Sequence, residues 1–140
     1  MASEFTMTRE VTFAETDMAG ILHFSNYFRY MEEVEHAFFR SLGFSVHART
    51  DEGAWGWARR AASCTYDRPL RYQDVVTLRL RVKAKGERSI TYGIGFELDG
   101  HTVASGEVTA VCVGKPEGPE GTLRAVAMPP EVDAAVDVAE

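Results

Sequence analysis

The sequence predicts an α+β fold in which a five-stranded antiparallel sheet packs one face against a single long helix. Three patterns carry that prediction. Tyr27, Met31, Val34, Phe38 and Leu42 recur at spacings of four, three, four and four, the repeat of one helix face. Val76, Leu78, Leu80, Val82 and Ala84 alternate strictly with Thr77, Arg79, Arg81, Lys83 and Lys85, the repeat of a half-buried strand. Two turn signals, Lys85-Gly86-Glu87 and Asp99-Gly100, then join that strand to two more, so the three form an antiparallel meander.

From the N-terminus, the first strand candidate alternates through Met7, Arg9, Val11 and Phe13 and ends near Ala14. A loop carrying Asp17 and Gly20 leads into the helix. Ser25 is its expected N-cap, and Gly43 suits the position just past its C-terminus. Arg29, Glu32, Glu33, Glu35, His36 and Arg40 fall between the apolar positions, and the run makes about five turns. After a polar stretch from His47 to Gly53, the segment WGWARRAASCTY has no helical period and reads as a strand. The meander follows, its last strand running from Thr102 to Val113. GKPEGPEG is a Gly/Pro loop, and Pro129 with Pro130 opens a short terminal helix through Val136. One helix stripe and one sheet make one core, so residues 1–140 read as a single domain. A homodimer that pairs the sheet's exposed edges would remove their liability.

Composition narrows the function. A net charge of −6 argues against nucleic-acid binding, which needs a basic surface. No apolar run approaches a membrane span, and MASEFTMTREV lacks the features of a signal peptide, so a soluble, cytoplasmic protein with no membrane partner is expected. Cys64 and Cys112 lie in apolar, strand-like segments outside any CxxC pattern and read as buried thiols. His36, His47 and His101 have no metal-ligand spacing, so no metal is expected. Charge is locally reversed between Arg68 and Arg88, where Arg68, Arg71, Arg79, Arg81, Lys83, Lys85 and Arg88 face only Asp74 and Glu87. That patch could take a small polyphosphate, or it could be a solvated strand face that guards an edge.

The stretch ETDMAGILHFSNYFRYMEEVE, from Glu15 to Glu35, sets an aspartate, a glycine, two aromatic positions and an asparagine at fixed intervals ahead of the helix. It resembles the opening of the central helix in hotdog-fold acyl-CoA thioesterases, in particular the 4-hydroxybenzoyl-CoA thioesterase-like family. YDRPLRYQDVVTL is similar to that family's Tyr-x-x-Pro turn and Asp-led strand, and KGERSITYGIGFEL to the hairpin that follows. The resemblance implies a helix wrapped by a curved sheet, and a homodimer or a tetramer of dimers with active sites at the dimer interface. It implies an acyl-CoA substrate, with coenzyme A entering as part of the substrate and no separate cofactor. It also implies that Asp17 is the catalytic carboxylate, as nucleophile or general base. Asn26 carries over too, with Gly20 and Tyr27 as framework. One branch of the family has a histidine where this chain has Phe24, whereas here His23 stands one position earlier, so alignment does not hand His23 that role.

The chemistry suits these residue types. A thioester is an activated acyl group that needs a nucleophile and donors for the oxyanion, and a helix N-terminus offers unpaired N–H groups and a partial positive charge. The backbone amides of Phe24 and Ser25 are the expected donors, each such donor being worth about 2.7 to 4 kcal/mol in well-studied enzymes. A carboxylate is a weak base but a competent nucleophile, and the sequence leaves both roles open to Asp17, beside the plainer reading of a turn aspartate. His23 either polarises a water or acyl group or packs beside Phe24. Lys85, Arg88 and Ser89, near a hairpin tip, are the candidates for the phosphates of coenzyme A. Two other readings remain: a hotdog enoyl-thioester hydratase or dehydratase, and an acyl-thioester-binding subunit without turnover. Acyl-group preference is not legible.

Overall fold

The computed structural model describes residues 2–50, 53–116 and 123–140. Its sheet has seven strands, two more than the sequence suggested. They are β1 (Glu4–Glu10), β2 (His47–Thr50), β3 (Gly53–Tyr66), β4 (Val75–Lys85), β5 (Ser89–Leu98), β6 (His101–Pro116) and β7 (Arg124–Ala125). The long helix α1 spans Phe24–Ser41, and a short α2 spans Pro130–Ala135. All neighbours are antiparallel, in the order β1-β4-β5-β6-β3-β2, with β7 added to β6.

The core follows from the two periodicities. The inner face of the meander supplies Val76, Leu78, Leu80 and Val82, then Ile90, Tyr92, Ile94 and Phe96, then Ala104, Val108, Ala110 and Cys112, all buried. Helix α1 lays Tyr27, Tyr30, Met31, Val34, Phe38 and Phe39 on them. Phe38 meets Tyr92 edge-on at 6.2 Å and Phe5 at 6.1 Å, and Tyr27 meets Phe96 at 5.3 Å, within the range of favourable aromatic pairs. The helix ends where Gly43, at φ 87°, takes the left-handed conformation that a side chain resists. Its N–H donates to the Arg40 carbonyl and that of Phe44 to the Phe39 carbonyl. Those two bonds with the Phe39–Phe44 ring contact at 6.4 Å make a Schellman cap.

Several expectations move. The first strand lies earlier than predicted, and the chain at Phe13–Glu15 is a turn of 3-10 helix. Alternation failed there because Val11, buried, sits past the strand end while Phe13 is exposed. The polar stretch from His47 contains β2, a four-residue strand too short to show a period. Ser25 is not the N-cap of α1: His23 holds that position, and its Nδ1 accepts from the Ser25 amide. Glu35, one of the polar positions between the stripe residues, is buried, held by both terminal nitrogens of Arg59 on β3. Cys112 is buried as expected, whereas Cys64 is half-buried, and both are free thiols. The Gly/Pro loop lies partly outside the described residues, its first three residues ending β6.

Beside β3 the sheet stops. Strand β2 covers only Gly53 to Gly56, so from Trp57 to Tyr66 one edge of β3 has no partner among the described residues. Among the described residues no helix is long and apolar enough to cross a membrane.

Candidate active site

Four short segments meet at the N-terminus of α1. The 3-10 turn delivers the chain to Thr16, which bridges to Leu22 around a tight loop. Within that loop the Asp17 N–H donates to the Ile21 carbonyl at 2.9 Å and the Gly20 N–H to the Asp17 carbonyl at 2.9 Å. Gly20 stands at φ 80°, which the return of the chain requires. Leu22 then donates to the Leu70 carbonyl at 2.7 Å, tying the loop to the segment that opens β4. Asp17, Ile21, Leu22, Phe24, Tyr27, Tyr66, Asp67, Arg68 and Pro69 line a cavity of about 400 Å³.

One oxygen of Asp17 is spent on the loop. Its Oδ1 accepts from the Ala19 amide at 2.9 Å and the Ile21 amide at 3.4 Å, an Asx turn, while Oδ2 has no partner among the described residues. The plain turn reading and the chemical one are therefore compatible: one oxygen fixes the side chain and the other is available. Asn26 also binds the loop, its Nδ2 donating to the Glu15 carbonyl at 2.8 Å, beside the His23 amide at 3.0 Å on the same oxygen.

The helix start sorts the two expected donors. The Ser25 amide is engaged by His23 Nδ1 at 3.3 Å, and the Asn26 amide by the His23 carbonyl at 2.9 Å. The Phe24 amide makes no hydrogen bond among the described residues, so it is the first-turn donor left open. Accepting from Ser25 requires Nδ1 of His23 to carry no proton, and the ring also stacks on Phe24 at 4.7 Å. The apolar wall is aromatic. Tyr27 packs edge-on against Tyr66 at 4.7 Å, and the Tyr66 hydroxyl reaches the Phe24 carbonyl at 3.4 Å. Phe24 is nonetheless 61% exposed and Met18 fully so, an apolar rim of the kind that marks a covered or ligand-bearing surface.

The residues expected for coenzyme A lie elsewhere in the chain. Lys85 ends β4, about 33 Å from its start at ten residues' rise, and Arg88 and Ser89 follow it. The three donors of Lys85 are matched by the Asp133 and Val136 carbonyls, at 2.9 and 2.8 Å, and the Asp133 carboxylate at 2.9 Å. It clamps the end of α2. Arg79, Arg81 and Lys83 likewise pair with Glu97, Glu4 and Glu107, which neutralises most of the basic patch. Arg88 is exposed and Ser89 half-buried. The basic residue that does reach the cavity is Arg68, which has no ion pair among the described residues. No cluster of metal-binding side chains occurs among the described residues.

Sequence reasoning missed the support behind the loop. Arg9 on β1 forks between Glu15 and Glu33, and the Tyr30 hydroxyl donates to Glu15 at 2.6 Å. Burial works against the Glu15 carboxylate, but the hydrogen bonds from Arg9, Tyr30 and Thr12 outweigh it and hold its pKa down to about 2. Burial pushes the Cys64 thiol, beside the site, up to about 11, so it is no nucleophile at neutral pH.

A curled antiparallel sheet packed around one long helix is the architecture of the hotdog class of proteins. The chain belongs to the thioesterase-like superfamily, whose sequence model matches residues 11–136. A protein of Aquifex aeolicus (strain VF5), whose name sets it provisionally among the esterases, is 40% identical over 88 residues, 63% of this chain and 68% of its own. The crystal structure of a protein of unassigned function from Aquifex aeolicus superposes with a TM-score of 0.81 at 28% identity, over 95% of this chain and 99% of that one. A gentisyl-coenzyme A thioesterase structure gives a TM-score of 0.78 at 25% identity, over 92% and 99%.

Proposed function

We propose that the chain is an acyl-CoA thioesterase, hydrolysing a thioester to a carboxylic acid and free coenzyme A. The observation that carries this reading is the shared cavity of Asp17 and the first turn of α1. A thioester carbonyl lying over that turn meets the Phe24 N–H and the positive end of the helix, which stabilise negative charge as it develops on oxygen. Oδ2 of Asp17 then either attacks the carbonyl carbon or takes the proton of an attacking water. In the first route the C–S bond breaks, the thiolate of coenzyme A leaves and takes up a proton, and water cleaves the acyl-aspartyl anhydride. In the second, the water oxygen adds directly and Asp17 returns the proton to the thiolate.

His23 acts in this reading as the cap that directs the first turn, and Asn26, Gly20 and Tyr27 as framework. Arg68, the cation at the cavity, is the first candidate for the phosphates of coenzyme A, ahead of Arg88 and Ser89. The unpaired edge of β3 is where a second copy would add its own β3 antiparallel across a two-fold axis. Such pairing would bring the Trp55–Arg59 end of one copy toward the Tyr66 end of the other and cover the exposed rim around Phe24. The assembly is a dimer or a tetramer of dimers, and the protein cytoplasmic.

The test is thiol release from a panel of acyl-CoAs. The aromatic wall, and the gentisyl activity of one structural relative, set hydroxybenzoyl-type acyl groups first, followed by short and medium aliphatic chains. Turnover of any member supports the reading. Binding without thiol release would make the chain an acyl-thioester-binding subunit instead.

A further inference from the structure

We infer that Arg9 is a positioning residue for this site, fixing through Glu15 where the Asp17 loop stands against the first turn of α1. The catalytic half of that inference rests on the hydrolase reading above. The geometry begins at Arg9, the next-to-last residue of β1, on the half-buried strand face it shares with Phe5 and Met7. Arg9 turns its guanidinium toward α1, where it lies over the Tyr30 ring at 4.4 Å. Its Nε and Nη2 bind Glu33 at 2.9 and 3.3 Å, and its Nη1 and Nη2 bind Glu15 at 3.0 and 2.6 Å. Nη1 also donates to the Glu10 carbonyl and lies 3.3 Å from the Tyr30 hydroxyl. Every donor of the fork is used, on a side chain that is 21% exposed.

Glu15 passes that constraint on. Its Oε1 accepts from Arg9, from the Tyr30 hydroxyl at 2.6 Å and from the Thr12 amide at 3.0 Å, so its side chain joins β1, α1 and the 3-10 turn. Its main-chain oxygen receives the His23 amide and Asn26 Nδ2. One residue is thus pinned at both ends, and it stands two positions before Asp17 and directly against the helix cap. The carboxylate and the open Phe24 amide are built on opposite ends of a short loop, and Glu15 is the common anchor of those ends. Lysine cannot replace arginine here, because a single ammonium has no planar fork to hold two carboxylates at once.

The test combines Arg9→Lys with Tyr30→Phe, which removes only the hydroxyl bound to Glu15 and spares the core ring. Each is measured alone and with Asp17→Asn. A loop displaced by about 1 Å costs on the order of 100-fold. Arg9→Lys is therefore expected to lower kcat by about 10- to 100-fold with KM changed much less, and Tyr30→Phe by a smaller factor in the same direction. In the Asp17→Asn background both losses should nearly vanish from the residual rate, because residues acting through one group are not additive. Amide hydrogen exchange gives a second readout independent of turnover: the amides of Asp17, Gly20, Leu22 and His23 should exchange faster in both variants, with those of β5 unchanged. Equal rate losses with and without the Asp17 carboxylate, or unchanged exchange in the loop, would overturn the inference. If no acyl-CoA is hydrolysed by the unaltered protein, the hydrolase reading fails, and the exchange experiment still decides whether Arg9 holds the loop.

Discussion

Arg59→Met removes a guanidinium while keeping most of the aliphatic volume of the side chain, and so isolates the buried charge it serves. Glu35 is 3% exposed, in the apolar middle of α1, and Arg59 approaches it with Nη1 at 3.1 Å and with Nη2 closer still. Burial raises the Glu35 carboxyl above its ordinary value, and the charge and hydrogen bonds of Arg59 oppose that rise. Breaking a buried pair by removing one partner typically costs about 3–5 kcal/mol. With an unfolding entropy of about 2.1 cal/mol/K per residue, the 140-residue chain loses roughly 10–17 °C in Tm. The sign of the pH dependence follows from the raised carboxyl. A folded-state pKa above the unfolded one gives stability that is complete below the unfolded value and lost as pH rises through the folded value. The variant, whose Glu35 has no cation to oppose burial, should therefore be penalised most at pH 7 to 8 and least near pH 4 to 5, in the region of the ordinary glutamate value near 4.3. Thermal unfolding by circular dichroism across that range measures it. Arg59→Met with Glu35→Met should recover most of the loss, since an apolar pair replaces the buried charge. A Tm loss below about 3 °C, less than roughly 1 kcal/mol on the same scale, with no dependence on pH would refute the reasoning.

Glu15→Gln tests the opposite sign. Because the Glu15 pKa is held down to about 2, its contribution is present above the ordinary glutamate value and lost as pH falls toward 2, so the variant should be less stable at pH 7 and indistinguishable near pH 2. Gly106→Ala tests the closeness of helix and sheet. A Cβ there would run into Met31 Sδ and stand 3.2 Å from the Ser63 carbonyl, so denaturant unfolding should show a loss of about 1–3 kcal/mol that shrinks when Met31→Ala is added.

Which parts of this molecule were legible depends on the range of the interactions that make them. The stripe of α1 and the alternation of β4 and β5 are local patterns, and they appear at the expected residues except at the end of β4, where a bulge between Val82 and Ala84 leaves Ala84 exposed and Lys85 half-buried. The hairpin at Asp99-Gly100 is local too, both residues having positive φ. Strand β1 was set too late because the signal was split between exposed Glu4 and Thr6 and half-buried Phe5 and Met7, with buried Val11 beyond its end. Serine is the commoner cap, so its presence at Ser25 hid the imidazole of His23 that occupies the position. The burial of Glu35 was not legible because its partner lies 24 residues away on β3, and no periodicity reports such a pair.

The site divides in the same way. The spacing from Asp17 through Gly20 to Asn26 was readable, and these residues meet at one loop. The Phe24 amide has no side-chain signature, so only the hydrogen-bond pattern of the first turn separates it from Ser25. Arg9, Glu15, Tyr30 and Glu33 come from two elements and a turn, and nothing in their spacing brings them together. The charge excess around Lys85 is smaller in the fold than along the chain for a physical reason: its acidic partners Glu4, Glu97, Glu107 and Asp133 lie outside the counted segment.

In the proposed hydrolysis the Asp17 carboxylate drives thioester cleavage at the helix N-terminus. Thiol release by Asp17→Asn, measured beside the unaltered protein on the best acyl-CoA of the panel, tests it most directly. A fall in kcat of at least about 100-fold is expected, the lower bound of what a positioned acid-base group supplies, with the fold and Tm retained. Undiminished turnover by Asp17→Asn would contradict it and leave Asp17 as a residue of the turn alone.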